Sequence, residues 1–344
     1  MKHANISVFV PHEGCTFACS FCNQKTISGE RKEKCDSETV RRAVETALKS
    51  PGYSPENTEL AFFGGSFTAI ERSRMLELLE AASPYVKSGR VKGIRVSTRP
   101  DAIDGERLDI LKSCGVTSIE LGAQSMREDV LIKNRRGHTA RAVADASRLI
   151  KSYGFELGLQ MMTGLYGDDD AGAVETAEKL ISLSPDTVRI YPTVVLEGTY
   201  LYELYRQGAY KPQTLEEAVT LCAKLLRMFY ESSIPVIRLG LHSGGGVEEG
   251  YAAGAYHPAF RELCEGEIYF EAAKELLSKE PAGNKILLVP PKDISKMIGQ
   301  SKTNLKRLTE LGYNCKVNPP KITNPFSAED KYTVKVISDE FLKK

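Results

Sequence analysis

The chain has 344 residues, 42% of them hydrophobic, and its 46 basic and 45 acidic side chains leave a formal net charge of +1. That length can bury one main core with an appendage, and the near-neutral balance excludes a uniformly basic nucleic-acid binder while leaving room for a local basic stripe. The N-terminus Met1-Lys2-His3-Ala4-Asn5 lacks the apolar core of a signal peptide, and no run approaches the ~18 apolar residues of a membrane span, so a cytoplasmic location is expected. In that reducing compartment, eight cysteines read as ligands or buried thiols rather than disulfides.

In chain order, a short apolar strand from Ile6 to Val10 comes first, followed by Gly14-Cys15-Thr16-Phe17-Ala18-Cys19-Ser20-Phe21-Cys22. Ser37 to Lys49 reads as a helix with Val40, Ala43, Val44, Ala47 and Leu48 on one face and Ser37 as its N-cap. Strand and helix then alternate. Glu59 to Phe63 is a strand, Thr68 to Ala82 a helix, Ile94 to Thr98 a strand, Asp104 to Cys114 a helix, and Ser118 to Ala123 a strand. Thr139 to Tyr153 is helical, Phe155 to Met162 extended, Ala171 to Leu183 helical, and Thr187 to Val195 extended. Six β/α units by Val195 imply a parallel sheet with helices outside, wound right-handedly into an open or closed barrel. Active sites of such barrels lie at the C-terminal ends of the strands, which is where the cysteine loop falls.

The spacing of Cys15, Cys19 and Cys22, C-x3-C-x2-C, is a metal-cluster address. Thiolates are soft ligands that suit iron–sulfur clusters and zinc, and one short loop can fold three of them onto one centre. With only three local thiolates, a four-iron cube keeps one iron free of protein, open to substrate or cofactor. A zinc knuckle completed by His12 or His3, or three unrelated core cysteines, are the bland alternatives. Cys35, Cys114, Cys222, Cys264 and Cys315 follow no ligand spacing and read as packing.

With Phe21 just before its last cysteine, this loop resembles the signature of radical S-adenosylmethionine (SAM) enzymes. The resemblance implies a [4Fe-4S] cluster on Cys15, Cys19 and Cys22, whose open iron chelates SAM and whose electron releases a 5′-deoxyadenosyl radical. It also gives the later strand ends a meaning. Gly64-Gly65-Ser66 resembles the glycine motif that holds the SAM methionine group, with Ser66 where the family often has Glu. Arg99, in Ser97-Thr98-Arg99-Pro100-Asp101, either clamps a carboxylate or pairs structurally with Asp101. Gln124 is positioned to hydrogen-bond the ribose, and Met162 either lines the adenine or fills core space. The cofactor-binding set implied is Phe21, Gly64, Gly65, Ser66, Ser97, Arg99, Gln124, Met162 and Tyr191.

Several segments sharpen the likeness. Ser97 to Asp101, Ile119 to Ser125, Asn134-Arg135-Arg136-Gly137-His138-Thr139, Arg189 to Thr199, Tyr202 to Tyr205 and Tyr210 to Pro212 are similar to the radical-SAM half of the Elongator catalytic-subunit family, which modifies tRNA wobble uridine. The likeness spans roughly Phe9 to Pro212, and Gly254 to Leu263 is similar to the extension that follows the barrel. It implies an RNA substrate, a tRNA, and a low-potential electron donor such as flavodoxin or ferredoxin. That family continues into an acetyltransferase domain. This chain ends at Lys344, so acetyl-CoA-dependent transfer is not expected of it, and the basic N-terminal region that helps hold tRNA is not expected either. Two other readings remain open: an enzyme of anaerobic small-molecule metabolism resembling a tetrapyrrole dehydrogenase, and a non-catalytic RNA-binding scaffold stapled by metal.

The last segment supplies a candidate grip. After a linker Pro281 to Asn284, Lys285 to Val289 reads as a strand, Asp293 to Ile298 and Thr303 to Leu311 as helices, and Tyr313 to Val317 as a strand. This order, with Gly299-Gln300-Ser301-Lys302 between the helices, resembles a KH module, which clamps nucleotide backbone with a G-x-x-G loop. Lys302 stands in place of the second glycine, and Lys292, Lys296, Lys306, Arg307 and Lys316 make the segment basic. Gly299, Lys302, Lys306 and Arg307 are the RNA-binding candidates; an ordinary α/β appendage with a solvated charged face is the alternative. The expected architecture is α/β: a partial (β/α)6 radical-SAM barrel over 1–235, a C-terminal extension over 236–283 and a small α+β KH-like domain over 284–344.

Overall fold

The computed structural model describes residues 4–10, 14–15, 18–22, 35–241, 246–319 and 331–338. It separates into two compact units, residues 1–214 with 229–256, and residues 215–228 with 257–344. The first is built on a parallel sheet. Its strands are β1 Ala4–Val10, β2 Thr58–Gly64, β3 Gly93–Thr98, β4 Val116–Gln124, β5 Glu156–Thr163 and β6 Thr187–Pro192. A short β7, Val194–Leu196, then leaves the sheet, and β8, Val236–Leu239, rejoins it beside β6. The order β1-β2-β3-β4-β5-β6-β8, parallel throughout, is a partial barrel with one strand beyond the six units read from the sequence.

The connecting helices are α1 Ser37–Leu48, α2 Arg72–Lys87, α3 Gly105–Ser113, α4 Glu128–Lys133, α5 Ala140–Ser152, α6 Asp170–Ser182 and α7 Tyr200–Arg206. Alternate strand residues Leu60, Phe62, Ile94, Val96, Ile119, Leu121, Leu157, Leu159, Val188 and Ile190 are fully buried and form the apolar face of the sheet. Such burial of large side chains contributes on the order of 1.5–3 kcal/mol each.

Three local expectations need correction. The N-cap of α1 is Asp36, not Ser37: its carboxylate accepts from the Thr39 amide at 2.8 Å while Thr39 Oγ1 accepts from the Asp36 amide, a reciprocal capping box. The helix expected from Thr68 starts at Arg72, because Thr68 Oγ1 is spent on Ala102 O and Thr98 Oγ1, both at 2.6 Å, and residues 67–69 form only a 3₁₀ turn. The extended run Thr187 to Val195 is two strands in different sheets, since Pro192 has no N–H to continue the ladder and β7 pairs antiparallel with β9, Tyr251–Gly254.

The second unit contains most of α8, Leu215–Glu231, and α10, Phe260–Leu277; the four-residue α9, Gly246–Glu249, belongs to the first. A three-stranded sheet follows in the order β11-β10-β12, where β10 is Gly283–Leu288, β11 Tyr313–Asn318 and β12 Lys335–Ser338. β10 runs parallel to β11 and antiparallel to β12, and α11 Ile294–Ile298 and α12 Thr303–Glu310 lie between β10 and β11 in sequence. The strand–helix–loop–helix–strand order read from the sequence is therefore present, with β12 added. No described helix is long and apolar enough to cross a membrane.

Candidate active site

The cysteine loop leaves the C-terminal end of β1. Gly14 adopts a left-handed φ of +75° and lies so close to the Ser66 carbonyl that a Cβ there would collide with it. The glycine turn after β2 therefore abuts the loop directly. Gly64 is at φ +100°, a Cβ on it would fall 2.7 Å from Val10 O, and Gly65 N–H donates to that same carbonyl at 2.9 Å. Glycine at position 64 is therefore set by the close approach of β1 and by a backbone conformation that side chains disfavour. Ser66 Oγ is occupied, hydrogen-bonded to Thr98 Oγ1 and accepting from the Arg99 amide, both at 3.0 Å.

The far end of the loop is locked to two other segments. Ser20 N–H donates to Asn134 O at 3.1 Å, Ser20 Oγ donates to Asn134 Oδ1 at 2.6 Å, and Ser20 O accepts from Leu201 N–H at 2.7 Å. Phe21 packs against the buried cluster of Val195, Leu201, Leu204 and Tyr210, so its ring anchors the loop. Burial pushes the Cys22 thiol up to about 12, helped by Cys19 and Cys15 and opposed by Arg136. The three sulfurs thus feel one another, and metal binding would release a proton from Cys22. Among the described residues no three His, Cys, Asp or Glu side chains already converge on one metal point, so the thiols must turn inward to hold a shared metal centre. The soft three-thiol donor set fits an iron–sulfur cluster. His3 and His12, the alternative zinc ligands, lie outside the described residues.

Arg99 is held by Asp101 through a bidentate pair, Nε to Oδ1 at 2.6 Å and Nη2 to Oδ2 at 2.8 Å; of its two sequence readings, this is the structural one. Gln124 sits at φ +66°, uncommon for a residue with a side chain, and its Oε1 is buried without a hydrogen-bond partner among the described residues. Met162 is half-buried near the end of β5, and Tyr191 is half-buried on β6, its hydroxyl pushed up by burial. His138 is buried, with Nε2–H donating to Ala123 O at 3.2 Å; burial first and Arg136 second push its imidazole down to about 4.

The other face of the parallel sheet carries a charged network of which the sequence reading singled out only Ser97, as a cofactor contact. Glu120 accepts from Arg189 Nη2 at 2.8 Å, Gln160 Nε2 at 2.8 Å, Arg95 Nη1 at 3.3 Å and Ser97 Oγ at 3.3 Å. Arg95 also donates to Glu59 at 2.8 Å, and Ser118 Oγ bridges Glu59 at 3.1 Å and Glu156 at 2.8 Å. Arg95, Ser97, Glu120, Gln160 and Arg189 alternate with the apolar face, which is the signal that marks them: charged or polar residues at every second position of strands whose other positions are fully buried. Ser97 thus belongs to this floor.

In the second unit, Gly299 has φ +76°, and Ser301 and Lys302 are also left-handed, at φ +54° and +62°. The loop is pinned by Asn304, whose Nδ2 donates to Gly266 O at 2.8 Å and Lys296 O at 3.2 Å. Lys302 and Lys306 are exposed. Arg307 is engaged instead, bonded to both carboxylate oxygens of Glu267 with Nη2 at 3.0 Å from Oε1, and with its guanidinium carbon 3.5 Å from the centre of the Phe270 ring. Lys296 is likewise held by Asp293 and Glu265, each at 2.8 Å.

The model of the radical SAM superfamily matches residues 9–180, half of the chain, and that of the radical SAM C-terminal domain matches residues 185–269. The chain belongs to the radical SAM superfamily. Elongator complex protein 3 of Danio rerio is 32% identical over 212 residues, 55% of this chain and 38% of that protein. A tRNA uridine(34) acetyltransferase of Methanocaldococcus infernus is 29% identical over 203 residues, 52% of this chain and 37% of that protein. The chain thus spans under two fifths of the length of these homologues. An N-terminally truncated archaeal Elp3 from Methanocaldococcus infernus superposes with a TM-score of 0.60 at 21% identity, covering 81% of this chain and 64% of the other. Methylornithine synthase superposes at 0.52 and 18% identity over 70% of this chain and 71% of the other. These two superpositions agree with the partial-barrel fold.

Proposed function

We propose that this radical SAM enzyme holds a [4Fe-4S] cluster on Cys15, Cys19 and Cys22, cleaves SAM reductively, and acts on an RNA nucleoside, with a tRNA as substrate. The observation that carries the reading is the abutment of the three-thiol loop, at Gly14, on the Ser66 carbonyl of the turn that Gly64 and Gly65 open. When bound, the cluster supplies an electron to the sulfonium of SAM, yielding a 5′-deoxyadenosyl radical that abstracts hydrogen from the substrate. The chain's own residues have simpler tasks. Ser20 and Phe21 hold the loop in place, Gly64 and Gly65 admit the methionine group against backbone, and the unpartnered Gln124 Oε1 accepts a hydrogen bond from a ribose hydroxyl. The RNA part of the proposal is supported by the homology to tRNA-modifying proteins and by the exposed Lys302 and Lys306 beside a left-handed loop. The electron would come from a low-potential carrier of the flavodoxin or ferredoxin kind.

Anaerobic reconstitution tests it. The full chain is expected to take up four irons, show broad visible charge-transfer absorption and form 5′-deoxyadenosine under reduction, with formation rising when tRNA is added. Cys19→Ala should lose iron and activity together. A colourless chain with one zinc defeats the cluster reading, and stimulation by a tetrapyrrole rather than tRNA defeats the RNA reading.

A further inference from the structure

Ser20 is clasped from two sides, by Asn134 at the end of α4 and by the Leu201 amide in the first turn of α7. The residues next to these two contacts meet each other. Arg135 lays its guanidinium carbon 3.5 Å from the centre of the Tyr200 ring, a van der Waals contact with no room for water between them. Its backbone is left-handed at φ +54°, with its amide bonded to Ile132 O at 3.0 Å, so the direction in which the side chain leaves is imposed by the turn. Both members of the stack are exposed, Tyr200 by 38%. The cations just before it in the chain have acidic partners: Arg127 is paired with Asp168 and Asp169, and Lys133 with Asp129. Among the described residues, the Arg135 guanidinium meets no carboxylate. Farther along α7 the pattern repeats, with Arg206 5.9 Å from the centre of the Tyr202 ring and Tyr205 again 38% exposed. Tyr202 and Phe21 pack on the same buried cluster of Val195, Leu201, Leu204 and Tyr210, which ties this helix to the cysteine loop.

We propose that the exposed Arg135–Tyr200 stack is a platform for one unpaired base of the RNA substrate, beside the cysteine loop. The inference rests on the RNA reading given under Proposed function, and it names the part of the RNA that this surface takes. A guanidinium plane backed by a ring presents its other face outward, and every unstacked base has a π-face to lay on it. The same cation, facing no described carboxylate, neutralises a phosphate of the flanking backbone. Tyr200 matters because an arginine already laid on a ring has less rotamer freedom to lose when a base arrives. A duplex keeps its base faces within its own stack and has none to offer this surface. Tyr205 and Arg206 carry the same pairing of exposed ring and cation farther along the helix, where the next nucleotide of a single strand can follow.

The test measures binding of a fluorescent single-stranded oligoribonucleotide, and of the same strand in a duplex, to the reconstituted full chain. The single strand should bind more tightly than the duplex. Tyr200→Ala should weaken single-strand binding roughly 5- to 150-fold, the range for loss of one stacked base, and leave the slope of log affinity against log salt unchanged. Tyr200→Phe, which keeps the ring, should bind as the unaltered chain does. Arg135→Gln should weaken binding and also reduce the salt slope by roughly 0.7. Should Tyr200→Ala fail to hold its fold, Arg135→Gln carries the test. A Tyr200→Ala chain that is less stable in urea yet binds the single strand as tightly overturns the proposal, since the stack then only fastens α4 to α7. Equal affinity for single strand and duplex overturns it as well, because the surface would be meeting phosphates alone. If the unaltered chain binds neither form, the RNA reading itself fails.

Discussion

The two sheets of this protein handle charge in opposite ways. On the parallel sheet, Glu59, Arg95, Glu120 and Arg189 are buried and bonded to one another, so no charge of that set is left to water. Around the three-stranded sheet, Arg307 and Lys296 are similarly closed onto acidic partners, but Lys302 and Lys306 stay exposed at a loop of left-handed backbone. The first arrangement makes a rigid floor beneath the strand ends that carry the site. The second leaves cations available to an outside partner. Burial therefore separates the charges that shape the protein from those that can meet a ligand.

The floor offers the strongest way to break this contrast. Glu120→Leu removes the acceptor shared by two buried arginines and leaves both undercompensated, which is expected to cost about 3–5 kcal/mol. Chemical denaturation of the variant, with the cluster absent from both proteins, checks it. A loss below about 1 kcal/mol would mean that the network is wet and merely ornamental.

His138 gives the next largest effect. Burial lowers its imidazole to about 4 in the folded chain, against an ordinary 6.5. Its contribution is fully present above pH 6.5, and is lost progressively as pH falls from 6.5 to about 4 because the unfolded chain takes up the proton first. The loss amounts to about 3 kcal/mol. Asp168 works against it in the same window: burial raises its carboxyl to about 6, so its contribution is present below 3.8 and is lost as pH rises through 6. The difference in urea midpoint between the unaltered chain and His138→Gln, followed from pH 7 to pH 4, isolates the histidine. Parallel pH profiles would remove it as an acid-sensitive element.

Much of the first unit was legible because strands and helices alternate with strong apolar patterns, and three thiols at fixed spacing have few other uses. The floor was harder to see. Glu59, Arg95 and Glu120 are side chains that sequence patterning assigns to solvent, and only pairing across neighbouring strands makes their burial affordable. Val236–Leu239 escaped because four residues give too short an alternation, and the break after Pro192 because a missing N–H ends a ladder without changing the hydropathy. Arg135 lay in a recognised segment, yet its stack on Tyr200 joins two segments distant in the chain. In the second unit the element order was visible, but the engagement of Arg307 by Glu267 and Phe270 was not, since basic residues near a loop read alike until their neighbours are known.

The exposed lysines sharpen the other side of the contrast. If Lys302 and Lys306 each neutralise one phosphate, changing both to Gln should reduce the slope of log affinity against log salt by roughly 1.4 to 1.8, while SAM cleavage without RNA persists. Arg307→Gln, at a residue already paired, should leave the slope unchanged and cost stability instead. Equal slopes for the lysine variant and the unaltered chain, measured with folded tRNA, would place the grip elsewhere.

The smallest expected effect separates backbone from charge at one position. Lys302 occupies φ +62°, where a side chain costs on the order of 1–2 kcal/mol and glycine costs little. Lys302→Gly should therefore stabilise the folded chain by about 0.5–1 kcal/mol once the greater freedom of glycine in the unfolded state is set against the relieved strain. The same change deletes one cation, so the salt slope for RNA should fall by roughly 0.7 to 0.9. A variant that is both more stable and less salt-sensitive would mean that the lysine is kept for its charge against the preference of the backbone. If it is less stable, the loop depends on the lysine side chain for its shape, and the exposed cation is structural after all.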